Sequence, residues 1–173
     1  MKLKIYSFKK VKSTNDTALR FIKKNIINGV ITSETQKNGR GKYGKNWVSN
    51  KGNLFMSIFF PIEKKITIKK FSKINLKIIK KIFLKNINIK ITVKHPNDIL
   101  IKNKKVCGIL QEIAYNKNYK ILIIGIGINI VNSPKIKNYE TTYLNKYLKK
   151  KIKLLNLLKI FKNTFEKKQS LYV

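Results

Sequence analysis

Cysteine, histidine and long apolar runs are scarce or missing in this 173-residue chain. The single cysteine, Cys107, cannot form an internal disulfide, which is typical of a cytoplasmic protein. The single histidine, His95, has no cysteine, histidine or carboxylate at metal-ligand spacing, and this argues against a zinc site. The longest apolar run, residues 121–124, is far too short to span a bilayer, and the charged N-terminus lacks the apolar core of a signal peptide. We therefore expect a cytoplasmic protein with no membrane partner.

Acidic residues are also scarce, because only seven stand against 40 basic residues, for a formal net charge of +33. A charge of this size normally indicates a nucleic-acid partner. However, all but two of the basic residues are lysine, and they are spread from end to end among isoleucine and asparagine, the residues of A/T-rich codons. We interpret the charge as compositional drift on solvated faces and predict no specific nucleic-acid partner. A basic nucleic-acid-binding domain without catalysis stays as an alternative.

The pattern of apolar residues predicts a single α+β domain over residues 1–173. Hydrophobic residues make up 43% of the chain, enough for a globular core, and neither a repeat nor a long linker divides it. Period-two runs and turn signals predict strands at residues 3–11, 30–35, 51–61, 87–93, 99–101, 106–115 and 119–130. Helical periodicity predicts helices at residues 13–28, 67–84 and 139–165. Because several strands are joined by short turns, we expect a mixed, largely antiparallel central sheet flanked by helices.

The most informative segment is residues 39–47, Gly-Arg-Gly-Lys-Tyr-Gly-Lys-Asn-Trp, here called the glycine loop. Its glycines let the backbone approach a ligand closely, and three cations lie among them. With Trp47, the only tryptophan, the loop suits a phosphate joined to a flat ring, as in a nucleotide. The Gly-x-Gly-x-x-Gly spacing also fits a Rossmann loop, but residues 51–61 read as a strand where that fold requires a helix.

Two further clusters carry polar side chains at the ends of predicted elements. Residues 13–15, Ser-Thr-Asn, could bind a carbonyl or ureido group, or could simply cap the helix that follows. Residues 94–98, Lys-His-Pro-Asn-Asp, follow a predicted strand. The carboxylate of Asp98 could hold Mg²⁺ beside a nucleotide, or the turn could satisfy itself by an Asx hydrogen bond.

Two predicted strands contain glycines where something approaches the backbone. Gly108 lies in a strand that begins near Lys105, a lysine that could pair with a carboxylate or phosphate or could lie on the surface. Cys107 beside it is expected to be a small core residue rather than a nucleophile. Residues 125–129, Gly-Ile-Gly-Ile-Asn, leave one strand face bare, either for a flat ligand or for tight sheet packing.

In their order along the chain these motifs resemble the catalytic domain of the biotin protein ligase family, over roughly residues 5–131. The resemblance implies the fold shared by class II aminoacyl-tRNA synthetases and biotin ligases. It implies an ATP-dependent, Mg²⁺-requiring ligase that makes biotinyl-5′-AMP from biotin and ATP. The same resemblance implies transfer of biotin to a lysine of the biotin carboxyl carrier protein of acetyl-CoA carboxylase. A lipoate or octanoate ligase or transferase of the same fold is the nearest alternative.

The resemblance also implies roles for individual residues. Biotin contacts are implied for Ser13, Thr14, Asn15, Gln36, Arg40, Gly41, Lys42, Lys105 and Gly108. Among them, the cations Arg40, Lys42 and Lys105 would act in catalysis. Nucleotide contacts are implied for Trp47, Asn97 and Asn129, and a Mg²⁺ contact for Asp98.

The chain departs from the family pattern at several points. His95 stands where a tryptophan is usual, and Lys42 stands where an arginine is usual, which replaces a bidentate fork by a point charge. We expect neither an N-terminal helix-turn-helix domain nor the C-terminal β-barrel of most members in this sequence, so the resemblance implies no repressor role. A homodimer is compatible with this interpretation.

Overall fold

The computed structural model describes residues 2–63, 65, 67–86 and 90–172. Its strands are Ile5–Val11 (β1), Gly29–Gln36 (β2), Leu54–Ile62 (β3), Ile91–Lys94 (β4), Asp98–Ile101 (β5), Lys104–Asn116 (β6) and Tyr119–Ile128 (β7). They form a seven-stranded sheet in the order β1-β2-β3-β7-β6-β5-β4. Strands β1 and β2 run parallel, and the other neighbouring pairs run antiparallel. The predicted mixed, largely antiparallel sheet is therefore confirmed.

Helices cover both faces of this sheet. They are Thr14–Lys23 (α1), Ile68–Asn86 (α2) and Leu154–Lys167 (α3). Helix α1 connects β1 to β2, and this crossover allows the two strands to run parallel. Its residues Ala18 and Ile22 pack with Phe59 on one face, whereas α2 and α3 contribute Phe71 and Phe161 to the larger apolar cluster on the other. Strand β3 is apolar at nearly every position because both of its faces are covered.

The first helix is shorter than predicted. Helix α1 ends at Lys23, and Asn25 then takes a φ of 63°, in the left-handed region that commonly ends helices. The N–H of Lys24 bonds back to the carbonyl of Phe21 at 2.9 Å. Residues 26–28 therefore connect the helix to β2 instead of extending it.

The predicted C-terminal helix over residues 139–165 is wrong in its first half, because α3 begins only at Leu154. Ahead of α3 the chain runs beside the start of β6. There the N–H of Lys105 donates to the carbonyl of Glu140, and the N–H of Thr142 donates to the carbonyl of Lys105, each at 2.9 Å. These long-range hydrogen bonds satisfy the β6 backbone, which a helix at this place would leave unpaired. They also bring residues 138–140 to the cavity described below.

The remaining elements agree with prediction to within a few residues. The strand predicted over residues 119–130 ends at Ile128, and the strand predicted over residues 51–61 begins at Leu54. In the strand predicted over residues 87–93, positions 87–89 lie outside the described residues, and β4 begins at Ile91. Within the described part of the chain, no helix combines the length and the apolar character needed to cross a bilayer.

Candidate active site

A cavity of about 330 Å³ opens where α1 begins, between the glycine loop and the first residues of β6. Its volume lies in the range of small-molecule sites. The predicted site residues in its wall are Ser13, Thr14, Asn15, Gln36, Arg40, Gly41, Lys42, Trp47, Asn97, Asp98, Lys105 and Gly108. Asn129 instead lines a smaller hollow next to this cavity. The structure therefore brings residues from five separate motifs to one place.

Hydroxyl and amide groups form the floor of the cavity. Ser13 caps α1, because its Oγ accepts a hydrogen bond from the backbone N–H three residues further on. Thr14 Oγ1 lies 2.8 Å from the Oγ of Ser57, which in turn donates to Oδ1 of Asn15. The Oε1 of Gln36 accepts from the N–H of Thr14 at 2.8 Å. Helix capping and a polar floor thus coexist at the same residues, and the hydrogen bonds fix the direction of each polar group.

Three glycines let two side chains lie directly on the sheet. A Cβ at Gly125 would lie 2.4 Å from Oδ1 of Asn15, and a Cβ at Gly127 would lie 2.4 Å from Cε2 of Trp47. Gly108, directly opposite Gly127 on β6, faces the same indole, with a hypothetical Cβ 2.6 Å from Cζ3. The bare strand face inferred from the sequence exists, but the flat group that covers it at Gly127 is Trp47 of the same chain.

The glycine loop is a small hairpin. The N–H of Trp47 donates to the carbonyl of Gly39 at 2.8 Å, and the N–H of Gly41 donates to the carbonyl of Lys45 at 2.6 Å. Lys42 and Lys45 both line the cavity from the exposed end of this hairpin. The base of the loop is therefore tied to the sheet through Trp47, while its tip carries two solvated cations over the opening.

Arg40 is held by two of the seven acidic residues of the chain. Its Nη1 and Nη2 donate to the two carboxylate oxygens of Glu112 at 2.8 Å each, and Nη2 also lies 2.8 Å from Oδ1 of Asp16. Burial opposes the charge of Arg40, but the hydrogen bonds and charge of Glu112, followed by those of Asp16, raise the pKa of the guanidinium. The bidentate geometry is the strongest form of a carboxylate–arginine contact.

Lys105 lies between a carboxylate and two aromatic rings. Its Nζ is 2.9 Å from Oδ1 of Asp98, 5.3 Å from the ring centroid of Trp47 and 5.2 Å from that of Tyr139. Its side chain is only 15% exposed, so it is a positioned cation and not a surface lysine. Cys107, two residues on, is fully buried, and burial raises the pKa of its thiol. The predicted core role of Cys107 is confirmed.

Asp98 contacts a cation of the same chain in this structure, and the Mg²⁺ contact at Asp98 stays a prediction. Its carboxylate is the partner of Lys105, and among the described residues no group of three or more Asp, Glu, His or Cys side chains could surround a metal ion. The neighbouring Asn97 donates to the carbonyl of Ile109 at 3.2 Å, which ties the turn to β6. In this structure Asp98 forms an ion pair with Lys105.

Two buried polar atoms beside the cavity have neither a hydrogen-bond partner nor an ion-pair partner within the described part of the chain. They are Oδ1 of Asn129 and Nε1 of Trp47. The amide nitrogen of Asn129 donates to the carbonyl of Thr142 at 3.1 Å, which fixes the direction of the side chain. Both residues line the smaller hollow together with Tyr139. A free acceptor and a free donor at one place are the arrangement that a polar flat ligand would satisfy.

Comparison with known proteins agrees with this geometry. The model of the Biotin/lipoate A/B protein ligase family matches residues 7–129. The chain belongs to this family. The bifunctional ligase/repressor BirA of Bacillus subtilis (strain 168) is 33% identical over 128 residues, which are 70% of this chain and 39% of that protein. The chain thus spans about two fifths of the length of the curated relatives that it matches.

Solved structures of biotin protein ligases share the fold of this family member. The enzyme of Leishmania major in complex with biotinyl-5-AMP superposes with a TM-score of 0.80 at 24% identity, over 98% of this chain and 76% of that chain. The enzyme of Aquifex aeolicus in complex with biotin and ATP gives a TM-score of 0.76 at 24% identity, over 96% of this chain and 72% of that chain. The expected biotin ligase fold is therefore confirmed.

Sequence reasoning missed three residues that this family member brings to the site. Ser57 and Glu112 are polar residues inside predicted strands, and a polar residue in an otherwise apolar run was a signal that could have found them. Tyr139 lies in a segment that periodicity assigned to a helix. No local signal identifies Tyr139, because only the pairing of the following residues with β6 places it beside Lys105.

Proposed function

We propose that this protein is an ATP-dependent biotin ligase. It would convert biotin and ATP to biotinyl-5′-AMP and pyrophosphate, and then transfer biotin to a lysine of the biotin carboxyl carrier protein of acetyl-CoA carboxylase. The observation that carries the proposal is that a buried hydroxyl and amide floor and a positioned cation, Lys105, line the same cavity. Family membership and the likeness to biotin-binding relatives support the same activity.

The polar floor suits the ureido ring of biotin, which carries one carbonyl oxygen and two N–H groups. Ser13, Thr14, Asn15 and Gln36 offer acceptors and donors in directions that their own hydrogen bonds fix. Ser57 beneath them is fully buried and supports the floor. A dithiolane ring or an alkyl chain has no such groups, so the head of lipoate or octanoate could make no hydrogen bond to this floor. This difference favours biotin over the lipoate alternative.

Lys105 is the cation we assign to the reacting groups. In the first step a carboxylate oxygen of biotin attacks the α-phosphorus of ATP and pyrophosphate leaves. The attack brings two anions together, and Lys105 would offset their repulsion in the transition state. A positioned donor of this kind contributes on the order of 3 kcal/mol, or about a hundredfold in rate. Asp98 holds the ammonium group in place, and Lys42 adds a second cation from the glycine loop.

The nucleotide is assigned to the side of the cavity formed by Trp47. The unpartnered Oδ1 of Asn129 would accept from the amino group of adenine, and the unpartnered Nε1 of Trp47 would donate to a ring nitrogen. Asn97 lines the same cavity. The glycine loop over the product would keep water from the mixed anhydride until the amine of the carrier lysine attacks its carbonyl carbon and AMP leaves.

We favour the ligase over the alternative of a nucleic-acid-binding domain, because the chain belongs to a family of protein ligases. Such a domain needs exposed aromatic rings among basic residues on a sheet face. Here Phe55, Phe59 and Phe60 are fully buried in the sheet, and the exposed rings are tyrosines, at positions 43, 115, 119 and 139. We also propose a cytoplasmic location, which rests on the composition of the chain. A homodimer is compatible with the proposed function.

The decisive experiment mixes the purified protein with ATP, magnesium chloride and biotin. We expect release of pyrophosphate that depends on biotin, and a tightly held biotinyl-5′-AMP detected by mass spectrometry. Addition of a purified biotin carboxyl carrier domain should then give a biotinylated lysine. Calorimetric titration with biotin and with lipoate distinguishes a biotin ligase from a lipoate ligase of the same fold. Tighter binding of lipoate would overturn the choice of biotin, and absence of an adenylate with either acid would overturn the ligase proposal.

A further inference from the structure

The carboxylate of Glu112 touches both functional parts of the cavity. Its two oxygens accept from the guanidinium of Arg40 in the glycine loop. Its Oε2 also accepts from the amide nitrogen of Asn15, in the polar floor, at 2.6 Å. Asp16, next to Asn15 on α1, holds Arg40 from the other side. These contacts join the loop to the floor through the set of Asp16, Arg40 and Glu112, here called the carboxylate clasp.

We infer that Glu112 is a positioning residue, and that Arg40 acts through its geometry and not by supplying charge to the reacting phosphate. This inference rests on the proposed ligase function and deepens it. One carboxylate binds both Asn15 in the floor and Arg40 in the loop, so the position of the floor and the position of the loop are coupled. The clasp thereby fixes the glycine loop over the cavity before the nucleotide is bound.

Two carboxylates surround the charge of Arg40. One guanidinium faces two carboxylates, so its field at the cavity is largely offset by its own partners. Lys42 and Lys105 remain as cations toward the cavity, and Lys105 faces a single carboxylate. A planar fork with both ends on one carboxylate is an orienting contact, and a lysine cannot reproduce it.

The glycine hairpin connects the clasp to Trp47. Arg40 pairs with Asn46 across the glycine hairpin, and Trp47 is the next residue. The indole rests on Gly108 and Gly127. If Arg40 loses Glu112, the hairpin loses the ion pair that joins it to β6, and only the ion pair of Arg40 with Asp16 on α1 remains of the clasp. The indole then separates from the sheet more often. Because Trp47 is the only tryptophan, tryptophan emission reports the exposure of this one ring.

A ligand-free experiment tests the clasp independently of the enzyme activity. We expect Glu112→Gln to increase acrylamide quenching of Trp47 fluorescence in the folded protein. The matched control is Glu34→Gln, which removes the same charge from an exposed ion pair with Lys51 and should leave quenching unchanged. Equal quenching in the wild type and in Glu112→Gln would overturn the inference, whether or not the protein makes an adenylate.

A kinetic experiment separates positioning from charge. We expect Glu112→Gln and Arg40→Ala each to lower kcat/KM for biotin in adenylate formation about tenfold, chiefly through KM, and the double variant to lose no more than either single one. If Arg40 supplied charge to the phosphate, Glu112→Gln would free that charge and leave the rate unchanged or higher. Additive losses, or full activity in Glu112→Gln, would therefore overturn the inference.

Arg40→Lys provides a variant that does not depend on the fold tolerating a change at Glu112. Its side chain is more than a third exposed, and the charge is kept while the fork is lost. The clasp predicts that Arg40→Lys behaves like Arg40→Ala in both assays. Retention of wild-type kcat/KM in Arg40→Lys would overturn it. If the wild type forms no adenylate, the ligase proposal fails, and the fluorescence comparison still decides the clasp.

Discussion

Replacement of Gly127 by alanine is the most direct test of how the sheet supports the glycine loop. The new methyl group would lie 2.4 Å from Cε2 of Trp47. Gly127 belongs to β7, which is paired along its length with β3 on one side and β6 on the other. The strand therefore cannot move away, and the ring of Trp47 must move instead.

The size of the displacement follows from ordinary contact distances. Carbon atoms pack at about 3.5–4.0 Å, so the indole must retreat by about 1 Å or more. If the ring stayed, overpacking would cost about 1–3 kcal/mol, and a loop at the surface relieves most of this by moving. We therefore expect a loss of less than about 2 kcal/mol in the free energy of unfolding. A misplacement of about 1 Å in a site can cost a hundredfold in rate, so kcat/KM for ATP should fall by about that factor.

The assay measures adenylate formation while ATP and biotin are varied in turn, together with the emission spectrum of Trp47. Gly127→Ala should lower kcat/KM for ATP and shift the emission toward that of an exposed indole. Gly125→Ala, two residues earlier on the same face, is the matched control. Its methyl group would lie 2.4 Å from Oδ1 of Asn15. This variant should therefore lower kcat/KM for biotin and leave the emission unchanged.

One result would refute the reasoning. If Gly127→Ala folds with an unchanged emission spectrum and an unchanged kcat/KM for ATP, the indole does not rest on this glycine. The assignment of Trp47 to the nucleotide would then lose its structural basis. A loss confined to biotin binding in both variants would also contradict the division of the cavity into a floor for the vitamin and a side for the nucleotide.

Three further predictions concern single side chains. Lys105→Ala should lower the rate of adenylate formation about a hundredfold in a protein that still folds; a wild-type rate would contradict its assigned role. Tyr172→Phe removes the hydroxyl that donates to buried Asn75 Oδ1, so urea unfolding should show a loss of about 1–3 kcal/mol, and an unchanged midpoint would refute this. At Glu166, burial opposes the charge, but the Leu3 N–H hydrogen bond and an ion pair on the same helix lower its pKa below the ordinary 4.5. The stability difference between wild type and Glu166→Gln should therefore be full above pH 4.5 and shrink as the pH falls below it; a difference that grows on acidification would contradict the sign.

Much of the fold was predictable because its signals are local. Ser13 is followed by the N–H that it caps, and the apolar stripe of α2 and the turn between β5 and β6 lie within short windows of sequence. The first half of the last predicted helix failed for the opposite reason. There the carbonyl of Glu140 accepts from the N–H of Lys105, 35 positions earlier in the chain (140 minus 105). Periodicity carries no information about such a distant partner.

The candidate site shows the same division. The glycines at positions 108, 125 and 127 indicated a close approach, because only a missing side chain permits one. The group that approaches at 108 and 127 proved to be Trp47, and the group at 125 proved to be Asn15. Arg40 was identified as a cation near the reaction, whereas its two carboxylate partners were not, since they come from α1 and from β6.

Residue type and order alone determined the family, the sheet-rich α+β class and the set of polar groups available for chemistry. These properties depend on which side chains are present and on short-range spacing. Only the tertiary structure decided that Lys105 faces Asp98 between two rings, that Trp47 lies on the glycines, and that Glu112 holds Arg40. Each of these contacts joins elements far apart in the chain, and distances across a folded sheet are set by the packing of all its strands together.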